Sequence, residues 1–239
     1  MPARPQFAPV KIGPVSIAPG KLALIAGPCV LEDPGMAEEV ARELKRIAAE
    51  LDLPFIFKAS YSKANRSSRE SYRGPGSRDG LQAIARIRER VGVPVTSDIH
   101  ETIEVAAAAE ALDLLQIPAF LCRQTPLIEA AAQSGKPLHL KKGQFLDPGS
   151  MARAVEKARA AGAQGVIVTE RGTTFGYGDL VVDYRSFGVM GGLECPIFFD
   201  ATHSVQKPGG AAPQRGDRAG AWQRQPQRRR VLSSAKNRG

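Results

Sequence analysis

Lys58, Ser60, Ser62, Lys63, Asn65, Arg66, Ser67 and Ser68 fall within eleven consecutive positions, directly after the apolar stretch Pro54–Phe57. Compact ammonium groups, a planar guanidinium and several neutral donors at the mouth of a buried strand suit more than one phosphate or carboxylate. Without anions, such a cluster beside an apolar strand is costly. Taken alone, the run also reads as a solvated basic loop.

The same order of apolar then polar residues recurs along the chain. Leu22–Ala26 leads to Gly27-Pro28-Cys29, and Val93–Thr96 to Ser97-Asp98-Ile99-His100. Leu114–Ile117, which includes Gln116, leads to Arg123 and Gln124, and Leu138–Leu140 to Lys141-Lys142-Gly143-Gln144. Val166–Val168 leads to Thr169-Glu170-Arg171-Gly172, and Ile197–Phe199 to Asp200-Ala201-Thr202-His203. Adjacent strand residues face opposite ways, so only one of Lys141 and Lys142 should point inward. Helix-like stretches lie between most of these runs: Gly35–Glu50, Asp79–Val91, Glu101–Ala111, Thr125–Ser134 and Ser150–Ala161.

Near-continuously apolar strands alternating with helices predict a parallel sheet covered by helices. Polar residues gathered after successive strands predict one functional face. That is the arrangement of a (β/α)8 TIM-type barrel. A doubly wound open sheet also binds ligands beyond its strand ends, but no dinucleotide glycine fingerprint follows the first strand. Val10–Ile12 and Val15–Ile17 predict a short N-terminal hairpin that caps the barrel bottom.

No apolar run approaches the ~18 residues of a membrane span, and no secretory apolar region opens the chain. Cys29, Cys122 and Cys195 form no metal-knuckle pair, so a reducing cytoplasm is expected. The net charge of +9 is uneven: residues 211–239 hold eight basic side chains against Asp217, while the first 210 hold 25 basic and 23 acidic. The body is nearly balanced, which argues against nucleic acid as its ligand. Between Gly209 and Arg230 no aliphatic residue exceeds alanine. We therefore expect a barrel domain over 1–210 and a basic, disordered segment over 211–239. A segment of this kind can bind RNA weakly.

Several long motifs, in order, resemble the 3-deoxy-D-manno-octulosonate-8-phosphate synthase family. They are Ala26-Gly27-Pro28-Cys29, Phe57-Lys58-Ala59-Ser60, Lys63-Ala64-Asn65-Arg66-Ser67-Ser68 and Tyr72-Arg73-Gly74-Pro75-Gly76. Thr96-Ser97-Asp98-Ile99-His100-Glu101, Gln116–Thr125, Lys141–Phe145, Thr169-Glu170-Arg171-Gly172, Phe175-Gly176-Tyr177 and Asp200–Gln206 continue the match. The Lys63–Ser68 run separates this family from 3-deoxy-D-arabino-heptulosonate-7-phosphate synthase, which carries a Lys-Pro-Arg-Thr-type run there.

The resemblance implies condensation of phosphoenolpyruvate with arabinose 5-phosphate and water, for lipopolysaccharide biosynthesis, in a homotetramer. It implies catalytic roles for Lys58, Lys63, Asp98 and His203. Ser60, Gln116, Lys141 and Arg171 would join Lys58 and Lys63 around phosphoenolpyruvate, and Asn65, Arg66 and Ser67 would hold the sugar phosphate. Arg123 would reach a neighbouring subunit's site. Cysteine after Gly-Pro marks the metal-dependent class, so Cys29 and His203 would ligate a divalent transition metal (Zn, Fe, Mn or Co). His100 and His139 match no ligand position: His100 follows a strand near the site, and His139 is assigned to packing or the surface.

After Gly210 the chain departs from the family, which continues through an eighth strand, a last helix and two further metal ligands. The arginine-rich replacement has the look of out-of-frame translation. The expectation is an incomplete barrel without appreciable turnover. A non-catalytic phosphate-binding remnant with an RNA-binding segment is the alternative of a different class.

Overall fold

The computed structural model describes residues 7–63, 72–176 and 178–205. The chain opens with β1 (Val10–Ile12) and β2 (Val15–Ile17), an antiparallel hairpin in which Val10 faces Ile17. Strands and helices then alternate: β3 (Leu24–Ala26), α1 (Pro34–Glu50), β4 (Phe55–Lys58), α2 (Ser77–Ile87), β5 (Val95–Asp98) and α3 (Val105–Ala111). They continue with β6 (Leu114–Ile117), α4 (Thr125–Gln133), β7 (Leu138–Lys141), α5 (Met151–Ala160) and β8 (Val166–Glu170). A small hairpin, β9 (Thr173–Thr174) with β10 (Leu180–Val181), precedes α6 (Arg185–Gly191) and β11 (Ile197–Phe199).

Seven strands form one curled, wholly parallel sheet in the order β11-β8-β7-β6-β5-β4-β3. It is an incomplete (β/α)8 barrel. Among the described residues β3 and β11 are the sheet's two edges.

Helix positions follow from local chemistry. Asp33 caps α1 by accepting from the Met36 amide at 2.7 Å, and Pro34 opens the first turn. Ala37, Ala41 and Ala48 are buried, so α1 presents small side chains to the core. α2 buries Leu81, Ala83, Ile84 and Ile87, and Gly80 lets it close on Tyr61, whose Cβ would lie 2.3 Å from an added methyl.

Five of the seven sheet strands, β3, β4, β6, β8 and β11, serve two cores. Phe55, Phe57, Val95, Leu115, Ile117, Leu138, Leu140, Val166 and Val168 pack outward among helix residues. The intervening residues Ile25, Ile56, Leu114, Ile167 and Phe198 pack with Val10, Ile12, Val15 and Ile17 of the hairpin. The hairpin therefore closes one end of the sheet's concave side, and the polar strand ends lie at the other.

Several boundaries differ from the sequence expectation. β5 starts at Val95 rather than Val93, because Pro94 has no amide to give the ladder. Lys58, Lys141, Thr169 and Glu170 are themselves strand residues. The expected helix Asp79–Val91 ends as a π-helical turn at Arg88–Gly92, where Gly92 takes a φ of 66°. The expected Glu101–Ala111 helix begins as a 3-10 turn, Thr102–Glu104. The hairpin β9–β10 and helix α6 were not anticipated. Their strands are two residues long, and α6 carries two glycines in seven residues, so neither has a clear periodicity.

Candidate active site

A cavity opens at the C-terminal ends of the strands. One lobe is lined by Asp98, His100, Phe120, Leu121 and Arg171, the other by Cys29, His139, Thr169, Phe198 and Asp200. Lys58, Lys63, Gln116, Lys141 and His203 line both. These side chains come from all seven strands of the sheet or the turns after them. Gly27 permits the closest approach among these turns: a methyl there would sit 2.0 Å from the Lys58 carbonyl oxygen.

Asp98, on β5, is the hub of the first lobe. Its Oδ2 accepts from Ser60 and lies 3.3 Å from Lys58 Nζ and 3.6 Å from Lys63 Nζ. Its Oδ1 accepts from the Gln116 amide. Burial alone would raise the Asp98 pKa, but the Lys58 and Lys63 charges and the Ser60 hydroxyl outweigh it and hold the carboxyl far below the usual range. In the other lobe Asp200 accepts from Lys141 Nζ and, at 2.7 Å, from His203 Nδ1. Burial opposes ionisation of Asp200, and His203 and Lys141 overcome it. The His203 pKa is lowered: the Asp200 bond raises it, but burial with the Lys141 and Arg171 charges prevails. Burial likewise lowers Lys141 and Arg171, against the pull of Asp200.

Four cations, Lys58, Lys63, Lys141 and Arg171, thus face two carboxylates, Asp98 and Asp200, across one concave surface. The excess positive charge sits in a partly desolvated site, where an anion gains more than it would in water.

Ser60 is fully buried and bonded to Lys58, Lys63 and Asp98. Arg123 is exposed and does not line the cavity of its own chain. Asn65, Arg66 and Ser67 lie outside the described residues. Lys142 is buried away from the cavity, with its Nζ 3.4 Å from Glu170 Oε1 and 3.2 Å from the Leu146 carbonyl. Cys29 is exposed and lines the same lobe as His203. Among the described residues no group of three or more His, Cys, Asp or Glu side chains converges on a metal position.

The assignment of His139 to packing or the surface is corrected in part: it is 3% exposed and lines the cavity. Two other features escaped the sequence reading. Asp200 is the partner of both Lys141 and His203; its position after an apolar strand was the available signal. Glu104 receives the Tyr61 hydroxyl at 2.8 Å and the His100 amide at 2.9 Å, tying the β4 and β5 turns together. Burial opposes ionisation of Glu104, but bonds from His100 and Tyr61 bring its pKa to about 2.

A parallel (β/α) sheet with a cation-rich cavity at its strand ends defines a barrel enzyme that handles anions. The chain belongs to the DAHP synthetase I family, whose description matches residues 9–237. It is 56% identical over 190 residues to the 2-dehydro-3-deoxyphosphooctonate aldolase of Desulfotalea psychrophila, covering 80% of this chain and 68% of the relative. The proteins of that name from Syntrophotalea carbinolica and Aromatoleum aromaticum are 54% and 56% identical, over 82% and 78% of this chain and 70% and 68% of their own length. The resemblance read from the motifs is thereby borne out.

Proposed function

We propose that this enzyme condenses phosphoenolpyruvate with D-arabinose 5-phosphate and water, giving 3-deoxy-D-manno-octulosonate 8-phosphate and phosphate for lipopolysaccharide biosynthesis. The excess of cations around Asp98 and Asp200 carries the reading, together with the relatives' shared name. Two phosphates and a carboxylate bring about five negative charges together. Lys58, Lys63, Lys141 and Arg171 would oppose them, with Ser60 and Gln116 as neutral donors. Asn65, Arg66 and Ser67 would take the sugar phosphate. Arg123, exposed and outside its own cavity, would enter a neighbour's site in a homotetramer.

Within the cavity Asp98 would fix the Lys58 and Lys63 ammoniums, so that little reorganisation is needed as charge develops on phosphoenolpyruvate. His203, neutral and anchored through Nδ1–H to Asp200, keeps a lone pair on Nε2. That lone pair and the Cys29 thiolate fit two positions of a divalent transition metal (Zn, Fe, Mn or Co). Such a metal would supply Lewis-acid orientation of the attacking water. In a cytoplasmic setting the three free thiols would stay reduced.

The test is phosphate release from phosphoenolpyruvate with arabinose 5-phosphate and, separately, erythrose 4-phosphate, in the presence of a divalent metal. The assay is run on the chain as written and on a chimera that replaces residues 211–239 with the matching part of the Desulfotalea relative. The barrel domain is assigned to 1–210 and a separate basic segment to 211–239. The chimera is accordingly expected to turn over arabinose 5-phosphate, and the 239-residue chain to fall far below about 1 per second. Preference for erythrose 4-phosphate would transfer the assignment to the seven-carbon reaction. In the chimera, Cys29→Ala should abolish tight metal binding, measured by metal content after dialysis. Retention of full metal occupancy would remove Cys29 from the ligand set.

A further inference from the structure

Two buried side chains on neighbouring strands each have one atom without a partner: His139 Nδ1 on β7 and Gln116 Oε1 on β6. The two residues are paired in register, and both are 3% exposed. Both line the lobe that also holds Lys58, Lys141 and Thr169. Buried polar atoms of this kind are seldom left unsatisfied.

Their chemistry is complementary. Gln116 gives its amide N–H to Asp98 Oδ1, so its Oε1 remains as an acceptor. His139 Nε2 lies 2.5 Å from Thr169 Oγ1, and that imidazole is the partner described for the buried Thr169 hydroxyl. With the hydroxyl donating to Nε2, a neutral ring carries its proton on Nδ1. Burial, with the nearby Lys141 and Lys58 charges, keeps the ring neutral, with a pKa of about 3. A starved donor and a starved acceptor therefore stand side by side without bonding to each other.

We propose that one ordered water molecule bridges His139 Nδ1–H and Gln116 Oε1, and that His139 is thereby a positioning residue for Gln116 and, through it, for Asp98. A water at that point accepts from the imidazole and donates to the amide oxygen, within the two to four partners a buried water requires. The bridge also fixes which way the amide faces. With the amide turned over, its N–H2 would lose the Asp98 carboxylate and its oxygen would face that carboxylate. A polar chain results, from Thr169 through His139, water and Gln116 to Asp98, spanning β8 to β5 and ending on the carboxylate that faces Lys58 and Lys63.

The test uses the full chain with 15N-labelled histidine, the His139 signals being assigned by their loss in His139→Phe. The expected spectrum shows the Nδ1–H tautomer, with a through-space contact from that proton to water. An Nε2–H tautomer, or an Nδ1–H without a water contact, would overturn the bridge. The second arm is phosphoenolpyruvate affinity by calorimetry, which rests on the proposed function as the spectrum does not. His139→Phe should weaken binding about tenfold, and His139→Asn, whose amide N–H can stand in for Nδ1–H, by less than about threefold. Equal loss in both variants, or no loss in either, would overturn the positioning role. If neither the unaltered chain nor the chimera binds phosphoenolpyruvate, the functional reading fails while the spectrum still decides the water site.

Discussion

The two ends of the curled sheet are built from the same strands by opposite chemistry. At the hairpin end Ile25, Ile56, Leu114 and Ile167 meet Ile12 and Ile17 in an apolar plug. Two residues beyond Ile56 on the same strand stands Lys58, and two beyond Leu114 stands Gln116, both lining the cavity. A side-chain period of two puts each pair on one face, so each of these strands stabilises the barrel at one end and serves the site at the other. The plug is non-directional and tolerates exchange of similar apolar groups. The cavity is a set of mutually dependent charges, its three lysines each facing Asp98 or Asp200. Stability and chemistry should therefore respond to different substitutions.

The largest effect should come from cutting a charge pair at the open end. Lys141→Met leaves the half-buried Asp200 without its ammonium partner, met only by His203 and the Thr202 amide, and should destabilise the fold by about 3–5 kcal/mol. Urea unfolding measures the loss, and calorimetry should show weaker phosphoenolpyruvate binding in the same variant. A stable variant with normal affinity would deny that this end depends on paired charge. At the closed end, Ile56→Ala should lower stability by about 2–4 kcal/mol through the cavity it leaves. Affinity for phosphoenolpyruvate should stay within about twofold, so a large affinity change would show that the two ends are coupled.

Acid provides a milder probe of the open end. The His139 pKa lies below its ordinary value of 6.5, at about 3. The unfolded chain thus binds a proton that the folded chain refuses between those values. Stability from this group is complete above about pH 6.5 and falls as pH drops, by at most about 1.4 kcal/mol per unit. Asp98 and Asp200, both held below 3.8, add a further loss only beneath that value. Denaturant midpoints across pH 4–8 should slope in the unaltered chain and slope less in His139→Asn, where the lowered pKa values of His203 and Glu104 keep the remainder; an unchanged slope would remove His139 as a source. The smallest expected effect is that of Glu104→Gln. It weakens the bond from the Tyr61 hydroxyl and should cost about 1 kcal/mol, with the apolar plug untouched. A loss of several kcal/mol would mean that the tie between the β4 and β5 turns supports more than the cavity rim.

The seven sheet strands were legible because each is a short apolar run ended by polar residues, and helical stretches separate most of them. The hairpin Val10–Ile17 was legible from its two alternating segments around Gly13. Helix α6 was not, since Gly188 and Gly191 dilute its pattern. In the site, Lys58, Ser60, Lys63, Asp98, Gln116, Lys141, Arg171 and His203 could be nominated by residue type and by motif. His139 could not, because it stands between Leu138 and Leu140 and shares their apolar run. Its face is decided by the register that sets it opposite Gln116.

The amino-acid sequence by itself determined the alternation of strand and helix, the sign of the charge at the strand ends and the family motifs. These depend on local patterning and residue type, which can be read along the chain. Only the tertiary structure decided the partnerships: Asp98 with Lys58 across 40 positions, Lys141 with Asp200 across 59, and the unpaired atoms of Gln116 and His139 beside each other. Such pairs depend on strand order, register and the inward face of a curled sheet, and these are settled only when the strands close on one another.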